Sequence, residues 1–278
     1  MRFVCCLLFL AASVLGLTQT YSELHDIVYS SGAGAPQKLD LYLPPVTANP
    51  KPGIVFVHGG GWTAGDKSDF ASWGQYYASL GYVCISINYR LAPAYTWPAQ
   101  IDDAQSSVRW MRKNAGALGL DANRIGAVGA SAGGHLVLLL GSMNTLNSRE
   151  RSLNGFSSKV QAVVDFCGPT DFSNPFEWDP SIWALITGMV GSSSPQALAI
   201  ASPMTYTSIG DAPTLIFHGD ADTVVPVAQS RRLASRMQTM GVPVTYYEFQ
   251  GEGHGFSGDV FEVWLNAMNF FIDARLGH

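Results

Sequence analysis

Charged side chains are scarce in this chain of 278 residues: they make up 13% of it, whereas 47% of the residues are apolar. Disordered chains combine low hydrophobicity with high charge, so this composition excludes intrinsic disorder as the general state. The formal net charge is −5. Because a phosphate-backbone binder carries a basic excess, we expect no nucleic-acid partner. The 29 glycines follow no collagen-like period, which leaves a packed globular protein.

Long apolar runs are also missing, with one exception at residues 3–17, directly after Arg2. This run is shorter than the roughly 20 residues of a membrane-spanning helix and is typical of a signal-peptide core. We therefore predict that residues 1–20 are a secretory signal, cut near residues 16–20, and that residues 21–278 are secreted or periplasmic. A lipoprotein needs a cysteine at the end of the run, whereas Cys5 and Cys6 lie at its start, so no stable membrane anchor is expected.

Cysteines are few: the chain has four, and only Cys84 and Cys167 lie beyond the predicted signal. Both lie in apolar runs that are predicted to be strands. Export would permit a disulfide between them, but a buried free thiol is the commoner role for a cysteine in such a run.

Strands and helices alternate along the rest of the chain. Residues 25–29 and 38–43 alternate in polarity and predict a hairpin turning at the G-A-G-A-P segment. Further predicted strands are 54–57, 82–89, 124–129, 160–166, 213–218 and 244–249, and predicted helices are 69–80, 99–118, 132–140, 227–240 and 260–276. On the last helix, the expected buried stripe is Phe261, Leu265, Met268 and Ile272.

This alternation predicts an α/β fold, a single domain with a mostly parallel sheet and helices on both faces. Residues 173–208 show no clean strand pattern although they follow one predicted strand and precede another. We interpret them as a small lid-like excursion above the sheet.

The stretch Gly129-Ala130-Ser131-Ala132-Gly133 joins a predicted strand to a predicted helix. A G-x-S-x-G sequence in this setting can form a nucleophile elbow, in which the glycines permit a tight turn that exposes the serine hydroxyl. The Ala132 amide at the helix N-terminus would then face a developing oxyanion. We predict Ser131 as the nucleophile, although small residues are common in strand-to-helix turns.

A second glycine-rich stretch, His58-Gly59-Gly60-Gly61-Trp62, follows the strand at 54–57. Acyl transfer needs backbone N–H donors at the point where the carbonyl oxygen becomes negative, and glycine lets the backbone approach the substrate closely. We predict the amides of Gly60 and Gly61 as oxyanion donors. A Walker phosphate loop is excluded because no Gly-Lys-Ser/Thr follows, whereas a plain turn stays an alternative.

Two aspartates, Asp220 and Asp222, follow the strand at 213–218. Sites in α/β proteins assemble at the carboxyl ends of strands, so either carboxylate can belong to one. We predict Asp222, which precedes a T-V-V-P turn, as the functional acid and Asp220 as a cap of its loop. A calcium loop is the rival interpretation, but the EF-hand glycine and distal glutamate are missing.

His254 lies between glycines in the segment G-E-G-H-G-F, just past the strand at 244–249. A histidine in such a loop is poorly placed for core packing, which favours an exposed general base. The chain contains no H-E-x-x-H or comparable metal pair. We therefore expect neither a metal nor an organic cofactor.

The order Ser131, Asp222, His254, each after its own strand, is that of α/β-hydrolase triads. With its HGGGW, NYRLAP and GASAGG motifs, the sequence resembles α/β-hydrolases of the esterase/lipase group. It is closest to the bacterial-type feruloyl and acetyl esterase-like branch and is similar to hormone-sensitive-lipase-like esterases. The resemblance implies these three residues as a catalytic triad and Gly60, Gly61 and Ala132 as its oxyanion hole.

The expected activity is hydrolysis of esters with short-chain, acetyl or feruloyl groups, on small molecules or polysaccharides, through an acyl-enzyme. Three alternatives remain: a serine peptidase similar to prolyl oligopeptidases, a lipase for longer acyl chains, and a non-catalytic binding protein. The sequence does not indicate an oligomeric state. Aromatic residues that can line a pocket or pack in the core or lid are Trp62, Tyr95, Trp97, Phe176, Trp178 and Trp183.

Overall fold

The computed structural model describes residues 21–31, 36–145 and 148–277. The predicted signal peptide and most of the G-A-G-A-P turn lie outside these residues. Within them, eight strands form one sheet. The strands are β1 (Ser22–Ser30), β2 (Gln37–Leu43), β3 (Lys51–Val57), β4 (Val83–Ile87), β5 (Leu120–Ala130), β6 (Ala162–Phe166), β7 (Thr214–Gly219) and β8 (Val244–Phe249).

The strands lie in the order β1-β2-β4-β3-β5-β6-β7-β8. β1 and β2 form the predicted antiparallel hairpin, and β2 pairs antiparallel with β4. From β4 to β8 every pairing is parallel. The carboxyl ends of β3, β5, β6, β7 and β8 therefore meet at one edge of the sheet, where ligands bind in such folds.

Nine α-helices lie in the described part of the chain. They are α1 (Ala71–Ser79), α2 (Ala99–Lys113), α3 (Ala115–Leu118), α4 (Ala132–Ser142), α5 (Pro180–Val190), α6 (Pro195–Ala201), α7 (Pro203–Tyr206), α8 (Ala228–Thr239) and α9 (Phe261–Leu276). The single helix predicted at 99–118 is in fact two, α2 and α3, which meet at Asn114.

Both faces of the sheet are covered by helices, as predicted. Alternate residues of β3 show the division: Val55 and Val57 pack in a core with α2, α4 and α8, whereas Ile54 and Phe56 pack in a second core with α1 and α9. Side chains of a strand point alternately to its two faces, so near-continuous apolar strands are required when both faces are buried. This arrangement confirms the predicted α/β class.

The buried stripe of α9 differs in part from the prediction. Its buried residues are Trp264, Met268, Phe271, Ile272 and Leu276, whereas Phe261 and Leu265 are only partly buried. The reason is tertiary: the Trp264 ring packs edge-on against Phe166 of β6, which rotates the helix toward that side.

The predicted excursion, residues 173–208, is a helical insertion that contains α5, α6 and α7. Its own apolar cluster joins Ile186, Met189 and Leu198 to Trp178 and to Phe172 just before the insertion. Prolines at the first turn start each of the three helices, a position that tolerates the missing N–H. Among the described residues, we find no helix with the length and hydropathy needed to cross a membrane.

A buried ion pair fixes the chain between β4 and α2. Arg90 donates through Nε and Nη2 to the two carboxylate oxygens of Asp103, at 2.8 and 2.9 Å. Asp103 lies near the start of α2, and its role here is structural. Asp171 also has a structural contact: it accepts a hydrogen bond from the Ser173 amide at 2.9 Å in its loop.

Candidate active site

Ser131 lies in a strained turn between β5 and α4, with φ 56° and ψ −121°. Its amide donates to the carbonyl oxygen of Phe166 on the neighbouring strand, at 2.7 Å. The turn requires glycine on both sides: a Cβ on Gly129 would lie 2.4 Å from the Gly133 carbonyl oxygen, and one on Gly133 would lie 2.0 Å from that of Val57. Strain of this kind persists only where surrounding contacts enforce it.

His254 and Asp222 complete a line of hydrogen bonds that begins at Ser131. The Nε2 atom of His254 lies 2.8 Å from Oγ of Ser131, and Nδ1 lies 2.7 Å from Oδ2 of Asp222. Because a carboxylate only accepts hydrogen bonds, Nδ1 carries the proton and Nε2 is free to accept from the serine hydroxyl. The structure thus brings together the three predicted residues from loops after β5, β7 and β8.

Asp222 is surrounded by donors. Its Oδ1 accepts from the amides of Val224 and Val225 at 2.8 and 2.9 Å. Burial by itself would raise the pKa of the Asp222 carboxyl, but hydrogen bonds from His218, His254 and the Val225 amide hold that pKa well below its ordinary value. The side chain is completely buried and stays ionised.

Sequence reasoning missed His218, a buried residue of β7. Its Nε2 lies 2.9 Å from the Val225 carbonyl oxygen and 3.1 Å from Oδ2 of Asp222. Both are acceptors, so Nε2 carries the proton and donates to them, while Nδ1 faces the Ser230 hydroxyl at 2.7 Å. Its position at the end of the apolar run P-T-L-I-F-H predicts a strand residue and does not predict this contact.

Asp220 has a different environment from Asp222. Its Oδ1 accepts a hydrogen bond from the Gly251 amide at 2.6 Å, which ties the loop after β7 to the loop that carries His254. Asp220 therefore links the two loops, whereas Asp222 contacts the His254 ring.

The glycine loop (residues 58–62) follows β3 and lies against the Ser131 turn. A Cβ on Gly59 would lie 3.3 Å from Cβ of Ser131. The left-handed φ of Gly60, 99°, and of Gly61, 57°, suits glycine. Their amides donate no hydrogen bond to any of the described residues. Ala132 begins α4, so its amide has no acceptor within the helix.

A second buried histidine, His135 of α4, joins the glycine loop to the insertion. Its Nε2 donates to the Ala201 carbonyl at 2.7 Å, and the indole N–H of Trp62 donates to Nδ1 at 3.2 Å. Burial lowers the pKa of His135 to about 4, so the ring is neutral. The sequence predicts only that His135 lies in an apolar helix, so the link to Trp62 and Ala201 was not predicted.

Both described cysteines, Cys84 and Cys167, are buried and form no disulfide, which confirms the expectation of unbridged thiols. Cys167 follows β6 in a left-handed conformation, with φ 48°, and its Sγ donates to the His254 carbonyl oxygen at 3.5 Å. Among the described residues, one set of three metal-ligand types lies close together, Cys167, Asp222 and His254. This set was not predictable from the sequence, because its members come from three different loops.

The aromatic candidates divide by burial. Trp62 and Trp178 are buried in the apolar cluster of the insertion, and Trp97 and Trp183 pack partly against it. Phe176 is 95% exposed and Tyr95 36% exposed.

The family of the chain follows from comparison with known proteins. The BD-FAE family model matches residues 39–237. The chain belongs to the BD-FAE family. It is 33% identical over 220 residues to Esterase LipC of Mycobacterium tuberculosis, covering 74% of this chain and 53% of LipC. The predicted resemblance to α/β-hydrolases of the esterase/lipase group is thereby confirmed.

Solved structures agree with this assignment. A truncated carbohydrate esterase from gut microbiota superposes with a TM-score of 0.77 at 29% identity, covering 92% of this chain and 98% of that one. A propionate-bound thermophilic esterase of Thermogutta terrifontis gives 0.78 at 29% identity, with 89% and 92% covered. The BD-FAE chain spans only 53% to 58% of the length of three curated mycobacterial relatives.

Proposed function

We propose that this BD-FAE protein is a serine carboxylesterase in which Ser131, His254 and Asp222 are the catalytic triad. The observation that carries the proposal is the continuous hydrogen-bonded line from Oγ of Ser131 through His254 to Asp222, at 2.8 and 2.7 Å. Nucleophile, base and orienting acid at these distances form the geometry that activates a serine hydroxyl.

The proposed reaction has two steps. His254 accepts the Ser131 proton as the hydroxyl oxygen attacks the ester carbonyl, and the protonated ring then gives that proton to the departing alcohol. Water, deprotonated by the same Nε2, attacks the acyl-enzyme, and Ser131 regains its proton as the acid leaves. Asp222 stays ionised throughout and stabilises the imidazolium.

We assign the amides of Gly60, Gly61 and Ala132 as the donors that stabilise the oxyanion of both tetrahedral intermediates. The free Gly60 and Gly61 amides and the contact of the glycine loop with the Ser131 turn support this assignment. Loss of one such donor in a serine hydrolase costs about 3 kcal/mol of barrier. No metal or organic cofactor takes part in the proposed reaction.

The proposed substrates are esters of short acyl groups, acetyl and feruloyl included, on small molecules or on polysaccharides. Two neighbours support this class: one is named a carbohydrate esterase and the other holds propionate. The helical insertion of residues 173–208 is small, which favours an esterase over a lipase with a large apolar lid.

The test is hydrolysis of p-nitrophenyl acetate, butyrate and octanoate by the purified protein and by Ser131→Ala. We expect activity that falls with acyl length and a loss of about 10⁶-fold in the variant. Equal rates for both proteins would overturn the triad. Faster cleavage of peptide amides would favour the peptidase alternative, and a rate jump above the substrate's solubility would favour a lipase.

We further propose that residues 1–20 direct export and are removed near residues 16–20. The basic Arg2 before a short apolar run supports this. N-terminal sequencing of protein recovered from the medium or periplasm tests it. A secreted chain that retains Met1 would contradict the proposal.

A further inference from the structure

Cys167 places a thiol beside the triad without a part in the proposed reaction. The residue follows β6, its amide donates to the Phe217 carbonyl oxygen at 2.9 Å, and the residue is 3% exposed. Its Sγ contacts the backbone carbonyl of His254 at 3.5 Å. The thiol is thus held on the inner side of the loop that carries the predicted base.

Three ligand atoms of different type converge here: Sγ of Cys167, a carboxylate oxygen of Asp222 and a ring nitrogen of His254, all within 4.8 Å of one another. Zinc binds these three donor types with bonds of about 2.0 to 2.3 Å, which separates the ligands of a tetrahedral site by about 3.3 to 3.8 Å. Small side-chain movements therefore suffice: the Cys167 sulfur moves inward, and the Asp222 oxygen and His254 nitrogen, 2.7 Å apart, separate to about 3.3 Å. We propose that Cys167, Asp222 and His254 bind zinc or a similar thiophilic divalent cation, and that binding inhibits the enzyme.

Charge and access both favour such an ion. Asp222 is ionised, and a cation that replaces the thiol proton of Cys167 adds a thiolate, so the two anions balance a divalent charge. The thiol proton passes to solvent, the proton on Nδ1 of His254 moves to Nε2 as Nδ1 binds the ion, and no electrons are transferred. The His254 side chain is 14% exposed, so an ion can reach the buried atoms of Cys167 and Asp222 past this ring.

Inhibition follows from the same atoms and rests on the proposed function. An ion held by a ring nitrogen of His254 and an oxygen of Asp222 breaks their hydrogen bond, so the base is neither oriented nor free to accept the Ser131 proton. Magnesium prefers oxygen ligands and should have no such effect. The site therefore predicts selective inhibition by zinc and cadmium.

Cys84 offers a matched control. It is a buried cysteine of β4 within the apolar core shared with α1 and α9, and its Sγ contacts the Tyr82 carbonyl oxygen. Substitution of each cysteine by alanine removes one thiol, but only Cys167→Ala removes a proposed ligand.

The experiment titrates the metal-free full chain with Zn²⁺, Cd²⁺ or Mg²⁺ and follows ester hydrolysis, each variant compared with its own metal-free rate. We expect Zn²⁺ and Cd²⁺ to inhibit, a chelator to restore activity, and Cys167→Ala to raise the half-inhibiting concentration about tenfold or more. Cys84→Ala should respond as the unmodified protein does. Equal sensitivity of Cys167→Ala and Cys84→Ala would overturn the proposal.

A second measurement does not depend on activity. The ultraviolet charge-transfer absorption of a cadmium thiolate reports metal on sulfur, and Ser131→Ala should still show it although the predicted nucleophile is gone. If the protein is not an esterase, this band still tests the site. Its loss in both Cys167→Ala and His254→Ala supports the proposal, and its persistence in both contradicts it, even if one variant folds poorly.

Discussion

At the scale of single residues, the two aspartates after β7 have different tasks. Asp222 accepts from two amides and two histidines, whereas Asp220 accepts from the Gly251 amide of the neighbouring loop. The first arrangement fixes the tautomer of the His254 ring, the proposed base, and the second fixes only a loop. The two aspartates therefore differ in their contacts: one belongs to the proposed triad and the other supports a loop.

We predict that Asp222→Asn lowers kcat for p-nitrophenyl acetate by about 10⁴-fold, because an amide in place of the carboxylate favours the wrong tautomer of His254. Asp220→Asn is the matched control and should lose far less, since an amide oxygen still accepts from the Gly251 amide. Steady-state kinetics of the two variants measure the difference. Comparable losses in both would show that Asp222 acts through the loop alone.

At the scale of elements, the β5–α4 turn depends on contacts that only glycine permits. A Cβ on Gly133 would lie 2.0 Å from the Val57 carbonyl oxygen, a backbone atom at the end of β3. Backbone cannot move aside as a flexible side chain does. The start of α4 is thus packed directly on the central sheet, which places Ser131.

Gly133→Ala is expected to lower the free energy of unfolding by about 3 kcal/mol or more, at the upper end of overpacking effects. The control is Gly188→Ala, within α5, where a Cβ would meet nothing within 4 Å. There alanine should stabilise by about 0.5–1 kcal/mol, because glycine is a poor helix former. Urea unfolding of both variants tests this, and a mild effect of Gly133→Ala would contradict the packing argument.

The insertion contacts the glycine loop through Leu185 of α5, whose Cδ1 would lie 3.1 Å from a Cβ on Gly61. Leu185 is only partly buried, unlike Ile186 beside it. Its isobutyl group therefore bounds the space next to a predicted oxyanion donor. We interpret it as a limit on acyl length.

Leu185→Ala should raise the ratio of octanoate to acetate hydrolysis by up to about tenfold, because the shorter side chain leaves room for more methylenes. Ile200→Ala is the control, since Ile200 is 54% exposed and lies on α6, not on the helix that contacts Gly61. The ratio of kcat/KM values for the two esters is the measurement. An unchanged ratio in Leu185→Ala would remove the residue from the acyl site.

At the scale of the whole molecule, the architecture and the convergence of Ser131, Asp222 and His254 were predictable from sequence. Each follows a strand, and the carboxyl ends of parallel strands meet at one edge. His218, His135 and the Cys167 contact were not predictable, because each lies in an apolar run that indicates only burial. Their partners are remote in sequence, so tertiary packing decides the contact. Tertiary packing also explains why Phe261 and Leu265 of α9 are less buried than predicted.

Two buried titratable groups, Asp165 of β6 and His135 of α4, affect stability with opposite pH dependence. Burial raises the pKa of Asp165 from its ordinary 3.8 to about 7, so the folded protein favours the protonated acid. Its contribution to stability is complete below the ordinary value and is lost as pH rises toward 7. Burial lowers the pKa of His135 from 6.5 to about 4, so its contribution is complete above 6.5 and is lost as pH falls toward 4.

Asp165→Asn keeps an oxygen for the Gly168 amide, which donates to Oδ1 at 2.9 Å, and cannot ionise. The variant's unfolding free energy minus that of the unmodified protein should therefore increase by up to about 4 kcal/mol as pH rises from 4 to 7. For His135→Gln the same difference should change in the opposite direction: it should increase by up to about 3 kcal/mol as pH falls from 6.5 to 4. Urea unfolding at a series of pH values measures both differences. The contributions of the other titrating groups cancel, because each variant shares them with the unmodified protein. A pH-independent difference for Asp165→Asn would mean that this carboxyl titrates at its ordinary pKa in the folded protein.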